Sequence, residues 1–380
     1  MRGVRDEWRA WLLESCPPSL RTPERGESDH VWGGRRGVFP SDDARLWLER
    51  AAARGLTAPT WPRAYGGAGL SAEEARVVDE ELRALGCRPP LRSLGVWMLG
   101  PVLLAYGDEA QKLLHLPRIA RGEIRWCQGY SEPGAGSDLA SLATRAVRDG
   151  DAYVVTGQKI WTSHADKADW IFCLVRTGPG REGISFLLID MASPGIAVKP
   201  IRLISGASPF CETFFDGVRV PAENLVGGEG KGWEIAKALL GHERTAMSRL
   251  RDQRTDEEEP LAAVARRMGA GDDAALADRI AAADIDQLAC KLTLRRYAEE
   301  GKTGAEASLL KVVVTETTKR RKQLRVEIAG FQGLGWEGDG FSAEDLAATR
   351  DWLRTRALSI EGGTTEIQLN ILAKRVLGLP

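Results

Sequence analysis

The sequence has few histidines and no paired cysteine motif, and both shortages disfavour whole classes of site. Four histidines are spread through 380 residues, so a zinc site or a histidine-based nucleophile triad is disfavoured. The six cysteines include no Cys-x-x-Cys pair, and a chain of this length can build a core without disulfides. We therefore predict reduced thiols, a cytoplasmic location and no metal.

The sequence also lacks an excess of either charge. Its 52 basic and 53 acidic side chains leave a net charge of -1, whereas a nucleic-acid-binding protein usually carries a basic excess. No apolar run approaches the roughly 20 residues that span a bilayer. The N-terminus has charges where a secretory signal would have an apolar run. These absences predict no nucleic-acid partner and no membrane insertion.

One glycine-rich stretch, residues 227–232, is similar to a phosphate-binding loop but departs from that motif twice. Gly232 stands where Ser or Thr would hold the metal, and Leu225 stands where the first glycine belongs. No Gly-x-Gly-x-x-Gly motif follows a predicted strand, so a Rossmann domain is not supported. The stretch is predicted to be a turn that precedes a helix.

The spacing of apolar residues changes twice and divides the chain into three predicted domains. Residues 1–120 have helical spacing, with Ser71 as a predicted N-cap. Residues 121–228 contain short β-rich runs between turn residues, which is typical of a small barrel or sandwich. Residues 229–380 return to helical spacing and predict a bundle, so the predicted fold class is α+β. The β-rich runs are 152–156, 170–175, 184–189, 196–201 and 213–215. One apolar stripe of the predicted bundle comprises Ala281, Ile285, Leu288 and Leu292.

Two motifs of the central domain carry candidate chemistry. The first, which we name the turn segment, is Ser-Glu-Pro-Gly-Ala-Gly-Ser-Asp at 131–138; a turn of this composition can direct backbone N–H groups at one acceptor. The second, which we name the tryptophan segment, is Gly-Gln-Lys-Ile-Trp-Thr-Ser at 157–163. Its indole beside two hydroxyls would suit a flat heteroaromatic ring. The alternatives are a plain turn and a tryptophan in the core of the domain.

These motifs resemble the acyl-CoA dehydrogenase family over nearly the whole chain. The C-terminal Gly-Thr-Thr-Glu-Ile-Gln at 363–368 and Arg-Val-Leu-Gly-Leu-Pro at 375–380 extend the resemblance. The pattern is most similar to the actinobacterial heteromeric enzymes of sterol side-chain breakdown. The resemblance implies an N-terminal helical domain, a central β-barrel or sandwich and a C-terminal four-helix bundle, with FAD between the last two.

The resemblance also implies which residues contact FAD. Those of the central domain line the flavin ring and its junction with the thioester: Gln128, Tyr130, Ser131, Gly136, Ser137, Trp161, Thr162 and Ser163. Those of the C-terminal domain lie near the diphosphate, the adenine or a partner's adenosine half: Glu327, Gly330, Thr364 and Glu366. Glu327 and Glu366 stand where the family commonly has glutamine, so we expect these two contacts to differ.

The implied reaction is α,β-dehydrogenation of an acyl-CoA thioester to the trans-2-enoyl-CoA. A carboxylate removes the α-proton while the β-hydride moves to flavin N5, and the electrons pass to an acceptor similar to electron-transfer flavoprotein. The base must lie in a dry pocket, because desolvation raises its pKa toward the working pH. A carrier-protein thioester in place of CoA is a variant of the same reaction.

Two positions compete for the role of base. In one family arrangement a glutamate directly precedes the C-terminal Gly-Thr, but this chain has Gly362 there and Glu361 one residue away. In the other, a glutamate precedes an arginine on the first bundle helix, which corresponds to Glu243 and Arg244. Residues three and four positions from Glu243 are apolar, so Glu243 is the predicted base. Arg244, Gly362 and Ser137 are then predicted to bind the thioester.

The chain departs from the family in the segment that reaches a neighbour's FAD. The usual Arg-x-x-Phe-Gly is missing, and no phenylalanine occurs between Phe215 and Phe331. Either a second, unlike chain completes the FAD sites in a heterotetramer, or another arginine substitutes in a homo-oligomer. The candidate arginines are Arg254, Arg266 and Arg267. Two alternative functions are a non-catalytic or FAD-sharing partner subunit and a flavin-dependent monooxygenase on the same fold.

Overall fold

The computed structural model describes residues 2–24, 26–240, 259–300, 305 and 307–380. The chain forms two compact units. The first unit comprises Met1–Pro200 and Phe210–Leu239, and the second comprises Ile201–Pro209 and Leu240–Pro380. The predicted base Glu243, its neighbour Arg244 and the candidate Arg254 lie outside the described residues.

The first unit begins with five α-helices, which confirms the predicted helical character of this part of the chain. They are α1 (Arg2–Ser15), α2 (Asp42–Ala53), α3 (Ala72–Ala84), α4 (Gly100–Tyr106) and α5 (Glu109–Ala120). Ser71 caps α3 in a reciprocal capping box with Glu74, as its spacing predicts. Trp8, Leu12 and Trp47 are buried together in the core of these helices, which orders α1 against α2.

The eight strands of the first unit form one mixed sheet. They are β1 (Trp126–Gly129), β2 (Arg145–Asp149), β3 (Ala152–Ser163), β4 (Trp170–Arg176), β5 (Ile184–Asp190), β6 (Ile196–Ile201), β7 (Phe210–Pro221) and β8 (Leu225–Val226). The strand order is β6-β7-β3-β2-β4-β5-β8, and β1 pairs in parallel with β4. The interiors of β4 and β5 are fully buried, which explains why both are continuous apolar runs in the sequence.

β3 is longer than the sequence predicts. It includes the whole tryptophan segment, which the sequence analysis placed after a strand ending at residue 156. Gly157 has φ +149°, a conformation open to glycine, and the register with β7 shifts at this residue. The strand therefore continues through an irregularity that hydrophobic alternation does not reveal.

The glycine-rich stretch at 227–232 forms a turn, and helical backbone follows over 232–240 (α6), as predicted. A Cβ on Gly232 would lie 2.5 Å from the carbonyl carbon of Ser185. Glycine is therefore required there because the turn packs directly against the backbone of β5.

The second unit is helical over the residues that the structure describes, apart from its connecting segments. Its helices are α7 (Leu261–Arg267), α8 (Ala274–Glu299), α9 (Ala307–Ile328), α10 (Ala343–Thr355) and α11 (Thr365–Ile371). Leu261, Val264, Ile280, Leu324 and Ile328 form its core. None of the described helices in either unit has both the length and the apolar composition that a membrane span requires.

The apolar stripe predicted on α8 does not face the core of this unit. Ile285, Leu288 and Leu292 are 68%, 56% and 57% exposed, whereas Ile280 and Ala283 are buried. α8 therefore has two apolar faces, and the predicted stripe with Ile285, Leu288 and Leu292 is the outer, exposed one. Large exposed aliphatic side chains in a row are typical of surfaces that another chain covers.

Candidate functional site

The turn segment is closed by a reciprocal pair of backbone hydrogen bonds between Glu132 and Ala135, each 3.0 Å long. Beyond it, Gly136 and Ser137 are exposed, and their amides donate to no other group in the part of the chain that the structure describes. A Cβ on Gly134 or Gly136 would meet no heavy atom within 4 Å. The turn therefore presents free N–H donors on an open face, which suits an anion or the polar edge of a ring.

Trp161 lies at the surface of the first unit. Its exposed fraction is 52%, so the alternative that it belongs to the core is wrong. Its φ is +60°, which is uncommon for a bulky residue and is typical of functional sites. The register between β3 and β7 is interrupted between Lys159 and Thr162, and Phe210 packs edge-on at 6.1 Å between ring centroids. The interrupted strand thus turns one indole outward.

The two hydroxyl residues after Trp161 differ in exposure. Thr162 is fully buried, and its Oγ1 has no hydrogen-bond partner among the described residues. Ser163 is half-buried at the end of β3. Ser163 is therefore the residue whose hydroxyl accompanies Trp161 at the surface, and an open indole, a hydroxyl and the free amides of the turn segment fit a flavin ring.

Other residues predicted to line the flavin lie just before the turn segment and at its first residue. Gln128 is half-buried on β1, opposite Phe172 of β4 in the register. Tyr130 is 5% exposed and lies edge-on to Phe172 and Phe186 at centroid distances of 6.2 and 6.5 Å. Ser131 is half-buried. This stretch thus leads from the aromatic interior of the sheet to the open turn.

A buried ion pair lies between the turn segment and the tryptophan segment. Lys159 is 0% exposed and Glu132 is 8% exposed; Lys159 Nζ lies 2.7 Å from Glu132 Oε1. Burial alone raises the pKa of Glu132, but the Lys159 ammonium and the amides of Ala143 and Thr144 outweigh it and hold the pKa below its ordinary value of 4.5. The Glu132 carboxyl is therefore ionised at neutral pH.

A cluster of aromatic and cationic side chains follows Ser163. His164 has φ +53°, and its ring lies 4.8 Å from that of Trp32. The Arg125 guanidinium lies 4.6 Å from the centroid of the same Trp32 ring. Burial, with a further contribution from Arg125, lowers the pKa of His164, so the imidazole is neutral near pH 7. This packing secures the end of β3 against the N-terminal part of the first unit.

The second unit contains the predicted C-terminal site residues in a glycine turn before α11. Gly362 and Gly363 have φ +65° and +92°, and Gly362 is exposed. Thr364 is the N-cap of α11, because its hydroxyl accepts a 3.3 Å hydrogen bond from the amide of Ile367. Glu366 is exposed in the first turn of the helix. In this left-handed turn the carbonyl of Gly362 accepts a 3.2 Å hydrogen bond from Gln368 Nε2.

Two acidic residues of the second unit have partners within the chain. Arg354 Nη2 donates to Glu361 Oε2 at 2.7 Å. Arg279 Nη2 donates to Glu327 Oε2 at 2.5 Å, near Gly330, which has φ +55°. Both carboxylates therefore have structural partners before any ligand is considered.

Glu132 and Lys159 had no predicted role, although both lie inside the two motifs. A lysine on a buried strand requires an acidic partner, but Lys159 was predicted to follow a strand that ended at residue 156, whereas β3 extends to Ser163. The partner could not be identified from spacing, because Glu132 is 27 residues away.

Known protein families match nearly the whole chain. The family models for the N-terminal, middle and C-terminal domains of acyl-CoA dehydrogenases match residues 3–123, 127–218 and 230–377. The acyl-CoA dehydrogenase IpdE1 of Mycobacterium tuberculosis is 39% identical, over 99% of this chain and 97% of its own length.

Two solved structures are similar over the whole chain. A steroid ACAD, the Tcur3481-Tcur3483 G363A variant, has a TM-score of 0.77 and 31% identity, covering 100% of this chain and 98% of its own. The ChsE4-ChsE5 complex of Mycobacterium tuberculosis has a TM-score of 0.74 and 30% identity, covering 100% and 97%. The predicted likeness to the actinobacterial sterol type and the predicted three-domain fold are confirmed. The chain belongs to the acyl-CoA dehydrogenase family, whose members are flavoproteins, and it is an oxidoreductase.

Proposed function

We propose that this chain catalyses the FAD-dependent α,β-dehydrogenation of a bulky, ring-bearing acyl-CoA thioester. The observation that carries the proposal is the outward Trp161 beside the half-buried Ser163 and the open turn segment. An indole face and free N–H donors are what a flat ring with a polar edge requires. The ring-bearing substrate class is inferred from the steroid ACAD similarity.

FAD, when bound, supplies the acceptor for the hydride that leaves the β-carbon. The chain's own contribution is to hold and orient that ring: Trp161 offers a face, and Ser163 offers a hydroxyl. The free amides of Gly136 and Ser137 donate to acceptors at its edge. Thr364, at the N-cap of α11, and Glu366 are proposed for the diphosphate and adenine. Gln128, Tyr130 and Ser131 complete the proposed flavin lining, and Glu327 and Gly330 are proposed for a partner's adenosine half.

Glu243 is the proposed base for the α-proton, with Arg244 and the Gly362 amide at the thioester. The competing Glu361 already accepts a hydrogen bond from Arg354, which favours Glu243. The residues three and four positions from Glu243 in the sequence are apolar, and the proposal places its carboxylate among apolar side chains. A carboxylate in such a surrounding keeps a proton affinity that suits proton abstraction.

We also propose that a second, unlike chain shares the FAD sites. The family's Arg-x-x-Phe-Gly is missing, and Arg267, one candidate replacement, is bound by Glu259 and Glu344 at 2.8 Å each. Two similar structures are described by pairs of chain names, as Tcur3481-Tcur3483 and as a ChsE4-ChsE5 complex. The FAD content of the chain purified alone and with a co-expressed partner tests this; full FAD occupancy in the chain alone would favour a homo-oligomer.

The overall proposal is tested by a flavin spectrum and an anaerobic titration with a panel of acyl-CoAs. We expect steroid-bearing and branched thioesters to bleach the flavin and an electron-transfer flavoprotein to reoxidise it. Bound flavin that no thioester bleaches would contradict the dehydrogenase function. Rapid reaction of reduced flavin with oxygen would instead favour the monooxygenase.

A matched pair of hydroxyl deletions separates the two residues after Trp161. Ser163→Ala is expected to slow flavin bleaching roughly 10-fold, the value of one hydrogen bond to a group that gains charge. Thr162→Val is expected to leave the rate unchanged, because Thr162 is fully buried whereas Ser163 is only half-buried. Stopped-flow absorbance measures both. Equal effects of the two variants on the bleaching rate would contradict the inference that only the Ser163 hydroxyl contacts the flavin.

A further inference from the structure

The turn segment and the tryptophan segment are tied together by hydrogen bonds from Lys159 and its neighbour. Lys159 Nζ donates to the carbonyl of Tyr130 at 3.2 Å and to Glu132 Oε1 at 2.7 Å. The amide of Ile160 donates to the carbonyl of Ser131 at 2.9 Å. Lys159 and Ile160 thus hold the first two residues of the turn segment and the residue before it.

Glu132 extends these ties to the start of β2. Its carboxylate accepts from the amides of Ala143 at 2.6 Å and Thr144 at 2.9 Å, while its backbone closes the turn with Ala135. One side chain therefore fixes the turn segment to β2 and, through Lys159, to β3.

The strand needs such an anchor at this position. Lys159 is paired with Thr213 of β7, but the register is then lost until Thr162. Trp161 adopts φ +60° inside this gap. A residue in an uncommon conformation persists when surrounding contacts determine it, and Lys159 stands directly before the gap with none of its surface exposed.

We propose that Glu132 and Lys159 are positioning residues that hold the turn segment and Trp161 in a fixed relation, so that both can engage one ring. The inference rests on the proposed function, because the ring is FAD. The inference goes beyond the proposed function because it gives a positioning role to two residues that touch no reacting atom. A pair that served stability alone would affect unfolding and leave flavin binding unchanged.

The test is a charge-free pair, Glu132→Gln with Lys159→Met, in the full-length protein as purified. Both replacements keep the side-chain size, but the glutamine nitrogen cannot accept from one of the two amides that Glu132 binds. We therefore expect a fall in melting temperature of roughly 3–8 °C, the cost of one buried donor without an acceptor. We expect FAD titration, followed by flavin fluorescence, to show roughly 10-fold weaker binding, the usual cost of losing supporting contacts around a bound group. We also expect faster amide hydrogen exchange at 131–138 and 160–163.

The control is Glu81→Gln, which alters another buried carboxylate. Glu81 lies on α3, and its Oε2 lies 2.9 Å from Arg9 Nη1. It is expected to lower the melting temperature and leave FAD binding and exchange in the two segments unchanged. Wild-type FAD affinity together with wild-type exchange in the charge-free pair would overturn the positioning role. If the chain alone takes up no FAD, the titration is made on the complex with a co-expressed partner chain. If neither form takes up FAD, the proposed function fails, and the exchange measurement alone still decides whether the pair holds the two segments.

Discussion

Replacement of Glu243 by glutamine is expected to abolish flavin bleaching by acyl-CoA while flavin and thioester remain bound. Glutamine has nearly the same shape but cannot accept the α-proton, and loss of a general base costs roughly 100- to 10,000-fold in rate. The measurement is single-turnover reduction of the flavin absorbance under anaerobic conditions. Thioester binding is followed separately through the perturbation of the flavin spectrum.

Glu361→Gln is the matched control, because it changes the competing glutamate by the same single atom. It removes an acceptor of Arg354 and should leave the bleaching rate near that of wild type. A Glu361→Gln variant that is inactive beside an active Glu243→Gln variant would reverse the assignment. If neither substitution affected the rate, the chain would be the subunit that shares FAD without supplying the base.

Replacement of Glu132 by alanine is expected to lower the free energy of unfolding by about 3–5 kcal/mol, because it leaves one charge of a buried pair without its counter-ion. The Lys159 ammonium would retain the Tyr130 carbonyl at 3.2 Å, and the amides of Ala143 and Thr144 would lose their acceptor. Thermal and urea unfolding of the purified protein measure the effect. Glu81→Ala should cost less, since its partners Arg5 and Arg9 are 41% and 51% exposed and remain solvated.

The stability difference at Glu132 should depend on pH in a defined direction. Its folded-state pKa is held below the ordinary value of 4.5, so its stabilisation is fully present above that value and is lost as the pH falls through the lowered pKa. Wild type and Glu132→Ala should therefore converge in acid. A difference that stays constant from pH 7 down to pH 3, roughly 1.5 units below the ordinary pKa of 4.5, would contradict a charged carboxylate.

Much of the fold could be predicted because local patterns determine it. The Ser71 capping box and the buried runs of β4 and β5 follow from spacing and composition. The extension of β3 beyond residue 156 could not be predicted, because it depends on Gly157 at φ +149°. The buried face of α8 could not be chosen either, since both of its faces are apolar and the periodicity of the outer one is the more regular.

In the candidate site, too, some features could be predicted from the sequence and others could not. The turn segment and Trp161 were evident as motifs, but the exposure of the indole and the burial of Thr162 come from the register break opposite β7, which no local pattern encodes. The pairing of Glu132 with Lys159 depends on chain segments 27 residues apart meeting in three dimensions. The roles of Glu243 and Gly362 remain predictions that the variants above would test.

The outer face of α8 has a consequence for the protein in the cell. Burial of an Ile or Leu side chain contributes about 1.5–3 kcal/mol, and Ile285, Leu288 and Leu292 leave much of that unrealised in the single chain. If the proposed second chain covers them, it would bind the folded form, and the folded fraction would follow the supply of that chain by mass action. A chain synthesised in excess of that partner would then be the one that proteases and chaperones remove, which would match subunit amounts without a dedicated regulator.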